Sequence, residues 1–112
     1  MRRTVTDVDV LQEYLNGVME RAAHHAGDVE QIALAVAGAV VWRKTGPIRV
    51  YEREGKLTNA LWVTIGEDNH FLSYNHDREA IEVKRENMRG EVLASFENST
   101  PVSEVKAFFE AL

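Results

Sequence analysis

Short segments of alternating apolar and polar residues, separated by turn residues, fill the middle of the chain from Ala37 to Phe96. A period of two is typical of β-strands with one buried face. Because strands that follow one another along a chain usually pair, the simplest arrangement is an antiparallel meander of five or six strands. The predicted strands are Ala39–Arg43, Ile48–Arg53, Leu57–Ile65, His70–Asn75, Ala80–Arg85 and Glu91–Phe96.

Two helices are predicted before this meander. The first begins after Thr6 as its N-cap and ends near Ala26, and the second runs from Val29 to about Ala37. Residues 31–37 also fit strand alternation, so this segment is open between helix and strand. The predicted apolar stripe of the first helix is Val8, Leu11, Leu15, Val18 and Ala22.

A further helix is predicted at the C-terminal end, packed on one face of the sheet. Thr100 is its expected N-cap, and Pro101 occupies the first helical position, where a missing N–H costs nothing. The predicted buried stripe is Val102, Val105, Phe109 and Leu112. The chain is therefore expected to form a single α+β domain over residues 1–112.

The composition is that of a soluble globular protein, with 112 residues, 45% of them apolar and 28% charged. The longest apolar stretch, Ile32–Trp42, is far shorter than the ~20 residues that a membrane-spanning helix needs. The absence of cysteine excludes disulfides, thiolate nucleophiles and thiolate zinc sites. No secretory signal is recognised, and we expect a cytoplasmic protein without a cofactor or a bound metal.

Positive charge is concentrated in one short segment of a chain whose net charge is −5. Residues 43–56 carry five basic and two acidic side chains, and they fall on a predicted hairpin. Basic residues there either protect an exposed sheet edge or attract an acidic protein or an anionic small molecule. Nucleic acid is not expected as a partner, because nucleic-acid-binding domains are usually basic overall. The five basic residues are Arg43, Lys44, Arg49, Arg53 and Lys56.

Four aromatic residues of the predicted strands, Tyr51, Trp62, Phe71 and Tyr74, are too many for three short helices to cover. The uncovered rings either pack against a second copy in a symmetric dimer, line a small pocket of a curved sheet, or stay half exposed at the rim of the core. We favour the dimer. The candidate binding residues are Arg43, Arg49, Tyr51, Arg53 and Trp62.

The polar run from Ser73 to Asp77 is the best candidate for acid–base chemistry. A histidine that is oriented by a carboxylate and close to a tyrosine can act as a general base. The same Asn and Asp residues are, however, what a tight hairpin turn requires, and the turn is the favoured interpretation. The alternative catalytic set is His70, Tyr74, His76 and Asp77.

Three segments, Ala39–Lys44, Asn59–Val63 and Phe71–His76, give the chain a family resemblance. With two leading helices in a short acidic chain, it resembles the small orphan α+β proteins of mobile integron gene cassettes. The resemblance implies a compact, often oligomeric bacterial protein, and it assigns no activity to particular positions. The chain is also similar to the cone-shaped fold in which helices back a curved sheet, but that fold places a helix where this chain has Thr45–Pro47.

These observations predict a non-enzymatic binding or interaction module. We expect it to form a homo-oligomer and to recognise an acidic protein or an anionic small ligand. The alternative is a small pocket enzyme, of hydrolase or isomerase type, that uses the histidine, tyrosine and aspartate residues named above.

Overall fold

The computed structural model describes residues 7–13, 15–16, 29–54, 56–75 and 77–112, and it shows an α+β fold. The described part contains three helices and one antiparallel sheet with strand order β1-β2-β3-β4-β5. None of the described helices has the length and apolarity needed to cross a lipid bilayer. The elements are α1 (helical residues 7–13 and 15–16), α2 (Glu30–Arg43), β1 (Ile48–Arg53), β2 (Lys56–Ile65), β3 (Asp68–Asn75), β4 (Ala80–Arg85), β5 (Val92–Phe96) and α3 (Val102–Glu110).

The predicted strand Ala39–Arg43 is wrong, because these residues form the second half of α2. The sheet consequently has five strands, and residues 31–37 are helical. Residues 31–43 are so rich in apolar residues that they fit both the helical period of 3.6 and the strand period of two. Packing on the sheet decides in favour of the helix. The buried residues of α2 recur at steps of three and four, as expected of a helix that lies on a sheet. They are Ile32, Ala33, Val36, Ala37, Ala39 and Val40.

Residues of the C-terminal segment form hydrogen bonds with both ends of α2. At the first turn, the backbone N–H groups of Gln31 and Ile32 both donate to Asn98 Oδ1 at 3.1 Å. At the last turn, Arg43 Nε donates to the carbonyl oxygen of Phe109 at 3.1 Å. Asn98 thus satisfies N–H groups that have no partner within the helix. Asp28, which forms a capping pattern with Gln31 in the sequence, lies outside the described residues.

The core lies between the helices and one face of the sheet. Alternate residues of the strands point into it, and α2 and α3 supply the opposite side. Phe109 of α3 is fully buried and packs near Phe96 of β5, with ring centroids 6.3 Å apart. The buried core residues of the central strands are Leu61, Val63, Ile65, Leu72, Tyr74, Ile81 and Val83.

The terminal helices match the sequence prediction in part. Val105 and Phe109 of α3 are buried, whereas Val102 was predicted to be buried and is 65% exposed. Thr100 was predicted to cap α3, but its Oγ1 accepts from the backbone N–H of Glu97 instead, and Pro101 stands at the N-cap position. In α1, Leu11 is buried, Leu15 packs against the core and Val8 is half exposed. Thr6, Val18, Ala22 and the predicted helix end near Ala26 lie outside the described residues.

Tight turns fix the register of the strands. Ile65 pairs with Asp68, so β2 and β3 are joined by two residues, and Gly66 takes the positive φ of +66° that this turn requires. Between β3 and β4, Asn75 Oδ1 accepts from the backbone N–H of Arg78 at 3.2 Å. This asparagine therefore serves as a turn residue, as the sequence indicates.

The two adjacent phenylalanines of α3 provide a test of the core. Phe109 is fully buried and Phe108 is only partly buried. Phe109→Ala is expected to lower the free energy of unfolding by about 3–5 kcal/mol, because a large ring leaves a cavity. Phe108→Ala is the matched control and should cost clearly less in the same urea denaturation experiment. Equal losses for the two variants would contradict the assigned packing of α3.

Candidate functional site

Four side chains form a line across the sheet on the face opposite the helices. In the register of the strands, Arg49 of β1 pairs with Trp62 of β2, Trp62 pairs with Phe71 of β3, and Phe71 pairs with Lys84 of β4. Because successive residues of a strand point to opposite faces, and their neighbours Leu61, Leu72 and Val83 face the core, these four face away from it. We call them the cross-strand row.

The two rings of the cross-strand row support one another. The centroids of Trp62 and Phe71 are 5.0 Å apart with an angle of 57° between the ring planes, a separation typical of favourable aromatic pairs. Phe71 is only 2% exposed although no described helix lies on its face, whereas Trp62 is partly exposed. The indole is therefore backed by a buried ring and presents part of its own surface to solvent.

Beside the row lies a buried carboxylate, Glu82 of β4. Its Oε1 accepts from the Asn75 amide at 3.2 Å, and it lies 3.9 Å from Lys84 Nζ. Lys84 Nζ also donates to the carbonyl oxygen of Met88 at 3.1 Å. Burying a charge requires such partners, so Lys84 is engaged within the protein. Arg49 differs, because it is exposed and makes no ion pair with the described part of the chain.

Two of the five predicted binding residues, Arg49 and Trp62, are direct cross-strand neighbours on this surface. Tyr51 follows on β1, where the pairing with β2 becomes irregular, and is half exposed. Arg43 lies elsewhere, because it ends α2 and bonds to the backbone of α3. Arg53 belongs to β1 by its backbone, and its side chain lies outside the described set.

The predicted basic hairpin is not a single structural unit. Arg43 ends a helix and does not lie on a strand, and Lys44 follows it and pairs with Asp7 Oδ2 at 2.9 Å. Arg53 and Lys56 are neighbours in the backbone register of β1 and β2. Of the five basic residues, Arg49 is the one whose described side chain is exposed on the sheet.

The alternative catalytic residues are dispersed. His70 and Tyr74 are buried on the helix-covered face of β3, with Leu72 between them. Asp77 is exposed in the turn beyond Asn75, where β3 ends. At ~3.4 Å per residue, the backbone positions of His70 and Asn75 are about 17 Å apart. His76 lies outside the described residues. The structure therefore does not bring His70 together with Asp77.

His70 is a buried histidine with an incomplete set of hydrogen bonds. Its Nδ1 is buried without a hydrogen-bond partner. Burial lowers the pKa of His70 below its usual value of 6.5; Asp68 opposes this shift through its charge and a backbone hydrogen bond, and Arg85 adds to it. The imidazole is therefore held in its neutral form at neutral pH. Among the described residues, no group of three or more histidine, aspartate or glutamate side chains is placed to hold a metal ion.

A second surface, which sequence reasoning missed, lies on the outer side of the helices. Leu34 of α2 is 61% exposed, and Val41, Trp42 and Val102 are also largely open to solvent. Between α2 and α3 runs a groove of about 170 Å³ lined by Ala35, Gly38, Ala39, Trp42, Val102, Val105 and Lys106. A sequence signal was present, since residues 31–42 contain no charged side chain. We call this the α2–α3 surface.

Comparison with known families gives a match over most of the chain. The model of the family described as integron cassette protein VCH_CASS1 chain matches residues 11–106. The chain belongs to this family. The resemblance drawn from the sequence is thereby confirmed, and the matched range includes all five strands of this integron cassette protein. A comparison with curated protein sequences finds no significant match.

The environment of His70 predicts a pH dependence of stability. Its pKa is lowered in the folded state, so the unfolded chain binds the proton more readily. Stability is then fully present above the unfolded value of 6.5 and is lost as the pH falls below it. A titration followed by NMR should place the midpoint of the His70 imidazole below 6.5.

The contribution of His70 to the pH dependence of stability can be measured by urea denaturation of the wild-type protein and of His70→Gln. The variant should lose less stability than the wild-type protein between neutral pH and mildly acidic pH, because it lacks this titrating group. A His70 midpoint at or above 6.5 would show that the imidazole is not held neutral by burial.

Proposed function

We propose that this integron cassette protein is a non-enzymatic interaction module that forms a homodimer through the α2–α3 surface. The observation that carries the proposal is that α2 is apolar on both of its sides. The inner side packs on the sheet, and the outer side presents Leu34, Val41 and Trp42 to solvent. A helix that is hydrophobic all round is normally enclosed on all sides.

The size of the apolar surface also supports an interaction. At 1.5 Å per residue, α2 is about 21 Å long, and with α3 beside it the surface is about 20 Å wide. Within this area the exposed large apolar side chains are those of α2 together with Val102 of α3, and contiguous apolar patches of a few hundred Å² are often functional. With the polar residues of α3 included, the α2–α3 surface suits an interface at the small end of the range for specific complexes.

The shape of the surface favours a second copy as the partner. Gly38 lies in the groove, and a Cβ atom built on it would have no heavy atom within 4 Å. Trp42 stands one helical turn further along the same side. In an antiparallel, two-fold arrangement, Trp42 of each copy reaches the open groove at Gly38 of the other, so that one patch serves both partners. The opposed dipoles of the two helices and the uncharged stretch 31–42 favour this orientation.

The geometry changes the surface proposed for the dimer. The sequence suggested association through the sheet aromatics, but Phe71 and Tyr74 are buried within a single chain. More apolar surface is exposed at the helices, where three large apolar side chains of α2 are open to solvent. The anionic partner expected from the sequence rests on Arg49, because Arg43 and Lys44 are engaged elsewhere.

Leu34→Glu tests the homodimer. The side chain is 61% exposed, so the change should leave the folded chain intact. In the dimer it buries an unpaired carboxylate, which should raise the dimer dissociation constant about 100-fold or more. Sedimentation equilibrium of the wild-type and variant proteins measures this constant directly.

Met88→Glu is the matched control. Met88 is 63% exposed and lies between β4 and β5, away from the helices, so it takes the same change of charge at equal exposure. It should dimerise like the wild-type protein. A wild-type protein that remains monomeric at all concentrations, or equal weakening by the two variants, would refute the proposed interface.

A further inference from the structure

We infer that the cross-strand row is a binding site for a planar, fused aromatic ring that carries an anionic group. The ring lies on Trp62, and the anion binds Arg49. This site lies on the sheet face opposite the helices, so the inference does not depend on the proposed dimer.

The ring position is defined by the aromatic pair. Trp62 is partly exposed, and Phe71 holds it from the side at a centroid distance of 5.0 Å. On the same face, Ser73 of β3 is partly exposed, and its partner Ala60 of β2 is buried. The accessible part of the aromatic pair is therefore the indole of Trp62, on which a flat molecule can lie. Such stacking platforms accept many planar rings, because the contact is with the face of the ring.

The charge of the ligand follows from Arg49. The protein carries a net charge of −5, yet this guanidinium is exposed at the aromatic pair and makes no ion pair with the described part of the chain. A planar guanidinium binds carboxylate, sulfonate or phosphate oxygens through paired hydrogen bonds. The anion therefore lies over β1, at the edge of the sheet.

The β4 end of the cross-strand row is unsuited to the anionic group of the ligand. Lys84 is engaged by the carbonyl of Met88 and by Glu82, and the buried Glu82 carboxylate would repel an anion over β4. Neighbouring strands are ~4.8 Å apart, so the backbones of Arg49 and its cross-strand partner Trp62 are separated by about 5 Å. A two-ring system stacked on the indole can therefore place one anionic substituent at Arg49.

The test uses naphthalene-2-sulfonate as the probe and naphthalene-2-sulfonamide as its neutral counterpart. The chain has two tryptophans, so the indole N–H signals in a ¹H–¹⁵N spectrum distinguish the two surfaces. The sulfonate should shift the Trp62 indole and the Ser73 amide and leave Trp42 unchanged. The variant Trp62→Phe assigns the signal.

Arg49→Gln should weaken binding of the sulfonate about tenfold, because it removes a charge-assisted hydrogen bond, and should leave binding of the sulfonamide within about twofold. Arg89→Gln is the matched control, since it removes the same charge from an exposed arginine between β4 and β5. It should change neither affinity.

Three results would overturn the inference. The probe would bind elsewhere if it shifted Trp42 and not Trp62. Arg49 would have no role if its variant and the Arg89 variant behaved alike. A Trp62 signal that moved with protein concentration in the absence of probe would show that the sheet face takes a second copy of the chain.

Discussion

The position of α2 depends on two contacts that the C-terminal segment makes with it. Asn98 accepts hydrogen bonds from the first turn, and the carbonyl of Phe109 accepts one from Arg43 in the last turn. Both contacts join residues 66 or 67 positions apart. With its ends fixed, α2 lies over the sheet with Val36 and Val40 buried, and its outer side, including Leu34, is turned to solvent. The exposed apolar side of α2 thus follows from the way in which the C-terminal segment positions this helix on the sheet.

The sequence predicts the sheet well because its information is local. Each strand has a period of two, and each turn contains a residue suited to it, such as Gly66 or Asn75. The second half of α2 was predicted wrongly because Val40, Val41 and Trp42 are also good strand residues. Their helical state is decided by packing on the sheet and by the bond from Arg43 to Phe109, which no local pattern reveals.

The two candidate surfaces also differ in how far the local sequence predicts them. Arg49, Tyr51 and Trp62 could be predicted from composition and alternation, because they fall on neighbouring strands. The support of Trp62 by Phe71 depends on the register between β2 and β3, which the two-residue turn fixes. The α2–α3 surface does not follow from a sequence pattern that predicts a strand over residues 39–43, since the groove exists only when Gly38 and Trp42 lie on one helix.

The two surfaces are compatible because the fold has two layers. A dimer formed through the helices places the two helical layers in the middle and leaves each sheet on the outside. Trp62 and Arg49 then stay accessible in both copies, and the dimer presents two equivalent ligand sites on opposite sides. A dimer through the sheets would cover these residues and leave Leu34 and Trp42 in water. Burial of apolar area is the main driving force of association. A dimer through the helices therefore buries the α2–α3 surface, which exposes the large apolar side chains of α2, and leaves Arg49 on the sheet free to bind an anion.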